Sequence, residues 1–273
     1  MNVRDERGFT VVEAVIVLFM IGAIGAATLS LLTSQDRFYS RLDDSVIAEQ
    51  SLRASADLAS SEIRMSVPED IFVAVPESVT FAFDVYHAVV CGPVSGGIAV
   101  FVYDTVPNPN VTGPVGFAFK DPYVTTYEVA RAWSPGTPSL GGQAQTACQN
   151  ALAPTGAPAN SYQAHSGLPA GFSGQTPARG AILRKFRELS YRFGPSSMSG
   201  GFALFRGQQE LAGPFDPTST FSYVMDDGTV QTTVTGQANL ARIRRVRINA
   251  IAIDDDPRFD LQRAFNLDIP LRY

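Results

Sequence analysis

The sequence has few of the residues from which catalytic and metal sites are most often built. Its 273 residues include only two histidines and two cysteines, which leaves little material for a metal centre or an activated nucleophile. Charged residues make up 17% of the chain and the formal net charge is −5, which argues against a general nucleic-acid binder. We therefore predict a structural or binding role rather than an enzyme, with no cofactor and no nucleic-acid partner.

One long segment lacks charge altogether. From Ala14 to Ser34 no charged residue occurs, and the next one is Asp36. About 20 apolar residues are enough to cross a bilayer as a helix, and the chain has no second run of that length. The chain is therefore predicted to span a membrane once, or to be a secreted protein whose apolar run is removed.

Two interpretations of the N-terminus leave an acid in this region without a role. A secretory signal peptide needs a basic first region, but the two acids of MNVRDER cancel its two arginines, and the apolar run continues past a cleavage point at Ala27. A plain transmembrane anchor tolerates Glu13 near one end of the helix, since an acid costs about 3 kcal/mol at the helix centre and less near the interface.

A third interpretation gives the acid a role. The stretch Gly8-Phe9-Thr10-Val11-Val12-Glu13 resembles the processing site of type IV prepilins and pseudopilins. In that family a short charged leader ends in Gly, an aromatic residue follows, and Glu is the fifth residue after the cut. The resemblance implies that a prepilin peptidase cleaves between Gly8 and Phe9 and N-methylates Phe9. Glu13 would then be an assembly contact, pairing with the N-terminal amine of a neighbouring subunit, because a buried carboxylate persists when it is paired.

The pattern beyond the apolar run predicts a long helix followed by a β-rich head. Apolar residues recur at spacings of three and four as far as Ile63, and Pro68 stops the helix. We predict a leader at 1–8, a helix at 9–65 with its transmembrane segment at about 14–34, and an extracytoplasmic head at 66–273. The fold class is α+β, and the pilin resemblance implies that the helix packs on the head.

Eleven strands are predicted in the head from apolar and β-branched runs. They cover residues 71–75, 79–90, 98–104, 116–120, 127–132, 189–193, 202–206, 221–225, 229–235, 243–253 and 264–271. Asp227-Gly228 lies between two such runs and predicts a hairpin turn. Residues 180–188 fit a short helix or a strand equally well.

A change in composition marks residues 134–179, which are rich in Gly, Pro, Ala, Ser, Gln and Thr. We predict a long loop there, either a functional surface insertion or a solvated segment without a partner. Cys91 and Cys148 are a candidate disulfide between a strand end and this loop, because disulfides persist outside the cytoplasm. The alternative is two unpaired thiols far apart.

Three other clusters are interpreted as structural. Asp254, Asp255 and Asp256, followed by Asp260, match no calcium loop and indicate a solvated turn, so no metal site is predicted. Four arginines between 242 and 247 indicate a surface ladder rather than a DNA contact. Neither histidine belongs to a catalytic motif.

The head carries a looser resemblance to larger members of the same family. Tyr191-Arg192-Phe193, Ala203-Leu204-Phe205-Arg206 and the closing Ile269-Pro270-Leu271-Arg272-Tyr273 resemble W-type minor pilins of type IV pili and J-type pseudopilins of type II secretion. This implies a minor subunit that acts in filament initiation and has a prepilin peptidase, a major pilin, other minor pilins and an assembly platform protein as partners. The head's bulk favours a place at the filament tip.

The location implied by this resemblance is the inner membrane, with the head outside the cytoplasm, and then a pilus or pseudopilus. The sequence does not separate a pilus from a secretion pseudopilus or a DNA-uptake filament. The competing class is a single-span, membrane-anchored extracytoplasmic domain that binds a ligand or catalyses a reaction on its own.

Overall fold

The computed structural model describes residues 11–95, 97–105, 115–120, 122, 128–130, 139–140, 142–152, 156–166, 177–198, 201–253 and 263–272. The chain divides into two units, residues 1–53 and 54–273. Helix α1 runs from Val11 to Met65 and so contributes to both units. Its last residue is the one that the sequence predicts.

The first unit is described from Val11 onward as helix α1 alone. Residues Val11–Tyr39 are a candidate membrane span of 29 residues, and its most apolar 18 residues have a mean hydropathy of 2.5 and no burial inside the protein. No proline interrupts this stretch, so its backbone hydrogen bonds are all available to the helix. By length and composition it is a candidate membrane span or signal anchor.

The second unit consists of the end of α1 and a single antiparallel sheet of fourteen strands among the described residues. The strands are β1 (Ile71–Val75), β2 (Ser78–Val94), β3 (Gly97–Thr105), β4 (Val115–Lys120), β5 (Glu128–Ala130), β6 (Ser139–Leu140), β7 (Tyr162–Ser166), β8 (Ile182–Pro195), β9 (Phe202–Arg206), β10 (Gln209–Phe215), β11 (Thr220–Met225), β12 (Val230–Gln231), β13 (Ile243–Ala252) and β14 (Arg263–Pro270). Two further α-helices are α2 (Gly142–Leu152) and α3 (Gln237–Leu240), and short 3-10 helices cover Pro68–Asp70 and Ala159–Ser161.

Two long strands form the spine of this sheet. Strands β2 and β8 pair from Ser78↔Arg192 to Val89↔Ile182. The other edge of β2 pairs with β1 and β3, and the other edge of β8 pairs with β4 and β9. Strand β10 continues from β9, and β13 carries β11 and β14 on its two edges. The spine therefore links a part of the sheet that carries α2 to a part that carries the end of α1.

Apolar side chains from the spine and its neighbours fill the interior. One cluster joins β2, β3, β4 and β8 and includes Tyr86, Val100, Phe117 and Leu183. A second cluster lies under α2 and includes Cys91, Cys148 and Tyr162. The consecutive residues Phe117 and Ala118 of β4 belong to different buried clusters, so the sheet is covered on both faces there.

Most of the predicted strands are present, and two have the predicted bounds, 71–75 and 202–206. The ambiguous stretch 180–188 is strand, because it forms the first half of β8 along β2. The hairpin turn at Asp227-Gly228 is confirmed: Gly228 adopts φ 81°, which favours glycine, and the Met225 amide donates to the Thr229 carbonyl at 2.8 Å. Only Val230–Gln231 of the predicted strand 229–235 is strand.

Two sequence predictions about the head are wrong. Residues 134–179 are not simply a long loop, because α2, β6 and β7 lie within them. Strand β10 is absent from the predicted strands, and its Gly213-Pro214 pair is more typical of a turn than of a strand. Both errors concern segments whose neighbours in space, rather than their own composition, determine the structure.

Candidate assembly segment and buried side-chain clusters

The predicted processing site lies at the edge of the described structure. Gly8 and Phe9 fall outside the described residues, so cleavage and N-methylation stay predictions. Glu13 lies in the first described turn of α1 and is exposed. Its neighbours Val11 and Val12 are 81% and 67% exposed. The exposed valines suit this segment to apolar surroundings. In such surroundings the carboxylate of Glu13 needs a partner for its charge.

A buried ion pair joins the end of α1 to the sheet. Glu62, which is 7% exposed, accepts from Arg206 Nη2 at 2.7 Å through Oε1 and from Arg206 Nε at 2.9 Å through Oε2. The hydroxyl of the fully buried Tyr191 donates to Oε2 at 2.5 Å. Tyr191 and Arg206 are directly paired across β8 and β9. The sheet thus presents two donors at one point to a single carboxylate of the helix.

The protonation states of this network follow from its contacts. The hydrogen bond to Glu62 raises the pKa of Arg206 above its ordinary value. Burial raises the pKa of Tyr191, and its bond to Glu62 raises it further. Arg206 therefore stays charged and Tyr191 stays neutral over the ordinary pH range. These two donors can therefore bind and orient the Glu62 carboxylate.

A second buried cluster lies where the chain leaves α1 for the sheet. Arg184 on β8 donates through Nη1 to Asp70 Oδ2 at 2.8 Å and pairs with the other Asp70 oxygen as well. Its Nε lies 3.2 Å from Asp84 Oδ1 without hydrogen-bond alignment. Burial raises the pKa of Asp70, although Arg184 opposes that shift. His87 lies 3.4 Å from Asp84.

The other histidine is part of an aromatic cluster in the interior. His165 on β7 is fully buried, and its Nε2 lies 2.7 Å from the Tyr86 hydroxyl. Phe117 meets it edge-on, and the Lys185 ammonium lies 5.4 Å from the centre of the Tyr86 ring. Burial, with a contribution from Lys185, lowers the pKa of His165 to about 4. His165 is therefore neutral at physiological pH and acts as a hydrogen-bonding core residue.

The two cysteines are joined in a disulfide, as the sequence analysis expected. Cys91 lies on β2 and Cys148 on α2, and both are buried. The helix is also held at its end by Arg179, whose Nη2 donates to the Asn150 and Ala151 carbonyls. Cationic donors at a helix C-terminus satisfy carbonyls that have no partner within the helix.

The charged clusters singled out in the sequence are largely surface features. Arg242 pairs with Asp226 and Asp227, and Arg247 pairs with Asp268 across β13 and β14. These contacts agree with the predicted surface ladder. The acidic run at 254–256 and Asp260 lie outside the described residues. Within the described part of the chain, no three histidine, cysteine or acidic side chains are placed to hold a metal ion.

The sequence analysis missed the Glu62 and Asp70 networks. One signal was available for the first: Glu62 lies beside Ile63 on the apolar stripe of the helix, where an acid is out of place unless it is paired. The identity of its partner could not be deduced, because Arg206 comes 144 residues later.

The chain was compared with known proteins at three levels. It matches no protein-family model, no curated protein and no solved structure.

Proposed function

We propose that the chain is a minor pilin or pseudopilin, a structural subunit of a type IV pilus or a type II secretion pseudopilus. A prepilin peptidase would cleave it after Gly8 and methylate Phe9. The processed subunit would stay in the inner membrane through its apolar helix, with its head outside the cytoplasm, until it joins a filament. Its role would be in the initiation or assembly of that filament.

One observation carries this proposal: the position of Glu13 relative to Gly8 and to the apolar helix. The acid is the fifth residue after the Gly8–Phe9 cut and lies at the start of the candidate membrane span Val11–Tyr39. A plain anchor has no use for an acid there. A helix that packs among identical helices does, since a neighbour's N-terminal amine can neutralise the carboxylate and fix the register between subunits.

Further support comes from the division of α1. Its apolar part is exposed, whereas Ala56, Ala59 and Ile63 near its end are buried in the second unit. A β-rich head attached to the end of a long helix fits a subunit whose helix is shared with neighbours. The proposed partners are the peptidase, a major pilin, other minor pilins and an assembly platform protein.

The first test is the N-terminus of the membrane-extracted protein after co-expression with a prepilin peptidase. Intact mass and N-terminal sequencing should find a chain that begins at methylated Phe9, and Gly8→Val should abolish the cut. A chain that begins at Met1, or near Ala27, would contradict the proposal and favour the anchored-domain or signal-peptide class.

The second test concerns Glu13. Glu13→Gln removes the charge and keeps the shape, so cleavage should be unchanged while incorporation into sheared filaments should fall at least about tenfold, given the cost of an unpaired polar group in an apolar packing. Val12→Ala, at the adjacent position, is the matched control and should incorporate normally. If the Glu13→Gln variant entered filaments as well as the parent protein, the proposed assembly role of Glu13 would be wrong.

A further inference from the structure

The four arginines between 242 and 247 do not all have the same surroundings. Arg242 and Arg247 pair with acidic side chains of the neighbouring turn and strand. Arg244 and Arg245 lie between them on β13, and Arg245 is exposed. Among the described residues, the guanidinium of Arg245 forms no hydrogen bond and no ion pair. The surface ladder therefore accounts for Arg242 and Arg247 but gives Arg245 no role.

A β-bulge places Arg244 and Arg245 side by side. Val224 of β11 pairs with Arg245, and the next residue, Met225, pairs with Ile243, so β13 has one residue more than β11 at this point. Consecutive side chains of a regular strand point to opposite faces of the sheet, and a bulge breaks that alternation and re-aims a side chain. Both arginines accordingly line the same cavity.

This cavity combines positive charge with an apolar lining. It has a volume of about 350 Å³ and lies between the turn that joins β11 to β12 and the end of β14. Val224, Met225 and Pro270 supply its apolar surface. Met225 is only 3% exposed, so packing fixes its position. Sites for small molecules are typically apolar cavities of about 300–1,000 Å³ with a few polar groups that orient the ligand.

The charges around the cavity restrict the ligand that it can take. Asp226 also lines it, but the carboxylate of Asp226 accepts from Arg242 Nε at 3.0 Å and pairs with Arg242 Nη2 at 2.8 Å. Arginine binds carboxylates well, because its planar guanidinium donates two parallel hydrogen bonds. The acids Asp226 and Asp227 would repel a ligand with many negative charges, such as a nucleic-acid strand. A single negative charge next to an apolar group fits both the arginines and the lining.

We propose that this cavity is a binding site for a small carboxylic acid that carries one apolar group. The carboxylate accepts hydrogen bonds from Arg244 and Arg245, which the bulge presents together, and the apolar group contacts Met225. The site belongs to the head alone, so this inference does not depend on the proposed function.

The test uses the full-length protein in detergent with ¹³C-labelled methionine methyl groups. Met225 reports on the cavity, and its signal is assigned with the Met225→Leu variant. Met198, which is 80% exposed and lies outside the lining, is the internal control. N-acetyl-leucine should shift the Met225 signal with a dissociation constant on the order of 1 mM, the range expected for a ligand of this size. Its neutral analogue N-acetyl-leucinamide should leave the signal in place.

Two substitutions on the same strand separate a site from general attraction. Arg245→Gln removes a charge from the cavity at an exposed position, where the fold does not depend on it, and should weaken binding of N-acetyl-leucine at least about fivefold. Arg247→Gln is the matched control, because it removes the same charge two residues further along β13, where Arg247 pairs with Asp268. This control should bind as the parent protein does.

Four results would overturn the proposal. One is an unshifted Met225 signal at about 20 mM N-acetyl-leucine, well above the expected dissociation constant. Another is an equal shift with N-acetyl-leucinamide, which would show that the carboxylate has no role. An equal shift with inorganic phosphate would show a plain anion site without an apolar contact. Equal weakening by Arg245→Gln and Arg247→Gln would show general attraction of anions to the strand.

Discussion

The head holds two helical segments against its sheet by different means. The end of α1 buries Ala56 and Ala59 and is fixed by a non-covalent network at Glu62. Helix α2 buries Ala144 and Cys148 and is fixed by a covalent bond to β2. Ile63 is the one large apolar side chain that the end of α1 buries, and the one large apolar side chain of α2, Leu152, is 38% exposed.

Small buried side chains do not by themselves hold a helix in one orientation. Alanine allows close approach of a helix to a sheet, but it buries little apolar area and specifies no orientation. A small-residue contact therefore depends on one specific bond. An ion pair supplies orientation at little net gain in stability, whereas a disulfide restricts the unfolded chain and so contributes stability directly.

The largest expected effect is on the covalent side of this comparison. Replacing Cys91 and Cys148 together by alanine should lower the free energy of unfolding by about 4 kcal/mol on the chain-entropy model, because the bond joins residues that are 57 positions apart. Denaturant unfolding of the full chain in detergent, with and without reductant, measures this. A loss below about 1 kcal/mol would show that α2 docks without its bond.

A smaller effect is expected when the non-covalent contact loses one partner. Arg206→Met leaves the Glu62 carboxylate buried without its cation, which should cost about 3 kcal/mol. Adding Glu62→Met and Tyr191→Phe should recover most of that loss, since the uncompensated charge is then gone. Unfolding curves of the two variants give the comparison. If the triple variant were no more stable than Arg206→Met alone, the cost would have come from packing instead of charge.

Acid should weaken the part of the head that carries α2. The pKa of His165 in the folded protein is about 4, below its ordinary value of 6.5. The unfolded chain therefore binds this proton first as the pH falls. The resulting stability is fully present above about pH 6.5 and declines toward pH 4, with a loss of about 2 kcal/mol at pH 5.

Substituting each of the two histidines tests whether His165 causes this pH dependence. His165→Gln keeps an acceptor for Tyr86 and should flatten the profile between pH 4 and 6.5. His87→Gln, at the partly exposed position beside Asp84, should leave that slope in place. The assignment fails if the His165→Gln variant keeps the parent slope.

The smallest effect is expected at the end of α2. Arg179→Ala removes the donor to the Asn150 and Ala151 carbonyls, which are open to water at a helix end, so the loss should stay below about 1 kcal/mol. Hydrogen exchange of the α2 amides should increase locally without a change in global stability. If the free energy of unfolding fell as much as in the cysteine variant, Arg179 rather than the disulfide would hold α2 against the sheet.

The same contrast explains what could be predicted from the sequence. The disulfide could be predicted because the chain has only two cysteines and therefore one possible pairing. The partner of Glu62 could not be predicted, because the chain has 21 lysines and arginines. Only the pairing of β9 with β8 shows that Arg206 lies beside Tyr191. Helix α2 has no stripe of large apolar residues to indicate its period, so its composition resembles that of a loop.

Strands and the apolar helix were easier to predict because their signal is local. β-branched and aromatic residues mark β1, β9 and β13 in the sequence itself. Strand β10 and the first half of β8 could be recognised as strands only from their pairing with neighbouring strands. Gly213-Pro214 and the mixed pattern of 180–188 give no clear period. For the processing site, Gly8 and Phe9 rest on the sequence pattern alone.

The pairing of β2 with β8 has a consequence for the order of events in folding. The two strands of the spine are joined at Ser78↔Arg192, and the contact of Glu62 with Arg206 spans still more of the chain. A chain synthesised only as far as β7 has no second spine strand and exposes a long edge of β2. Such non-local pairing makes folding slow, on the order of milliseconds to seconds. The head is therefore a structure that can close only after β8 and β9 have been synthesised.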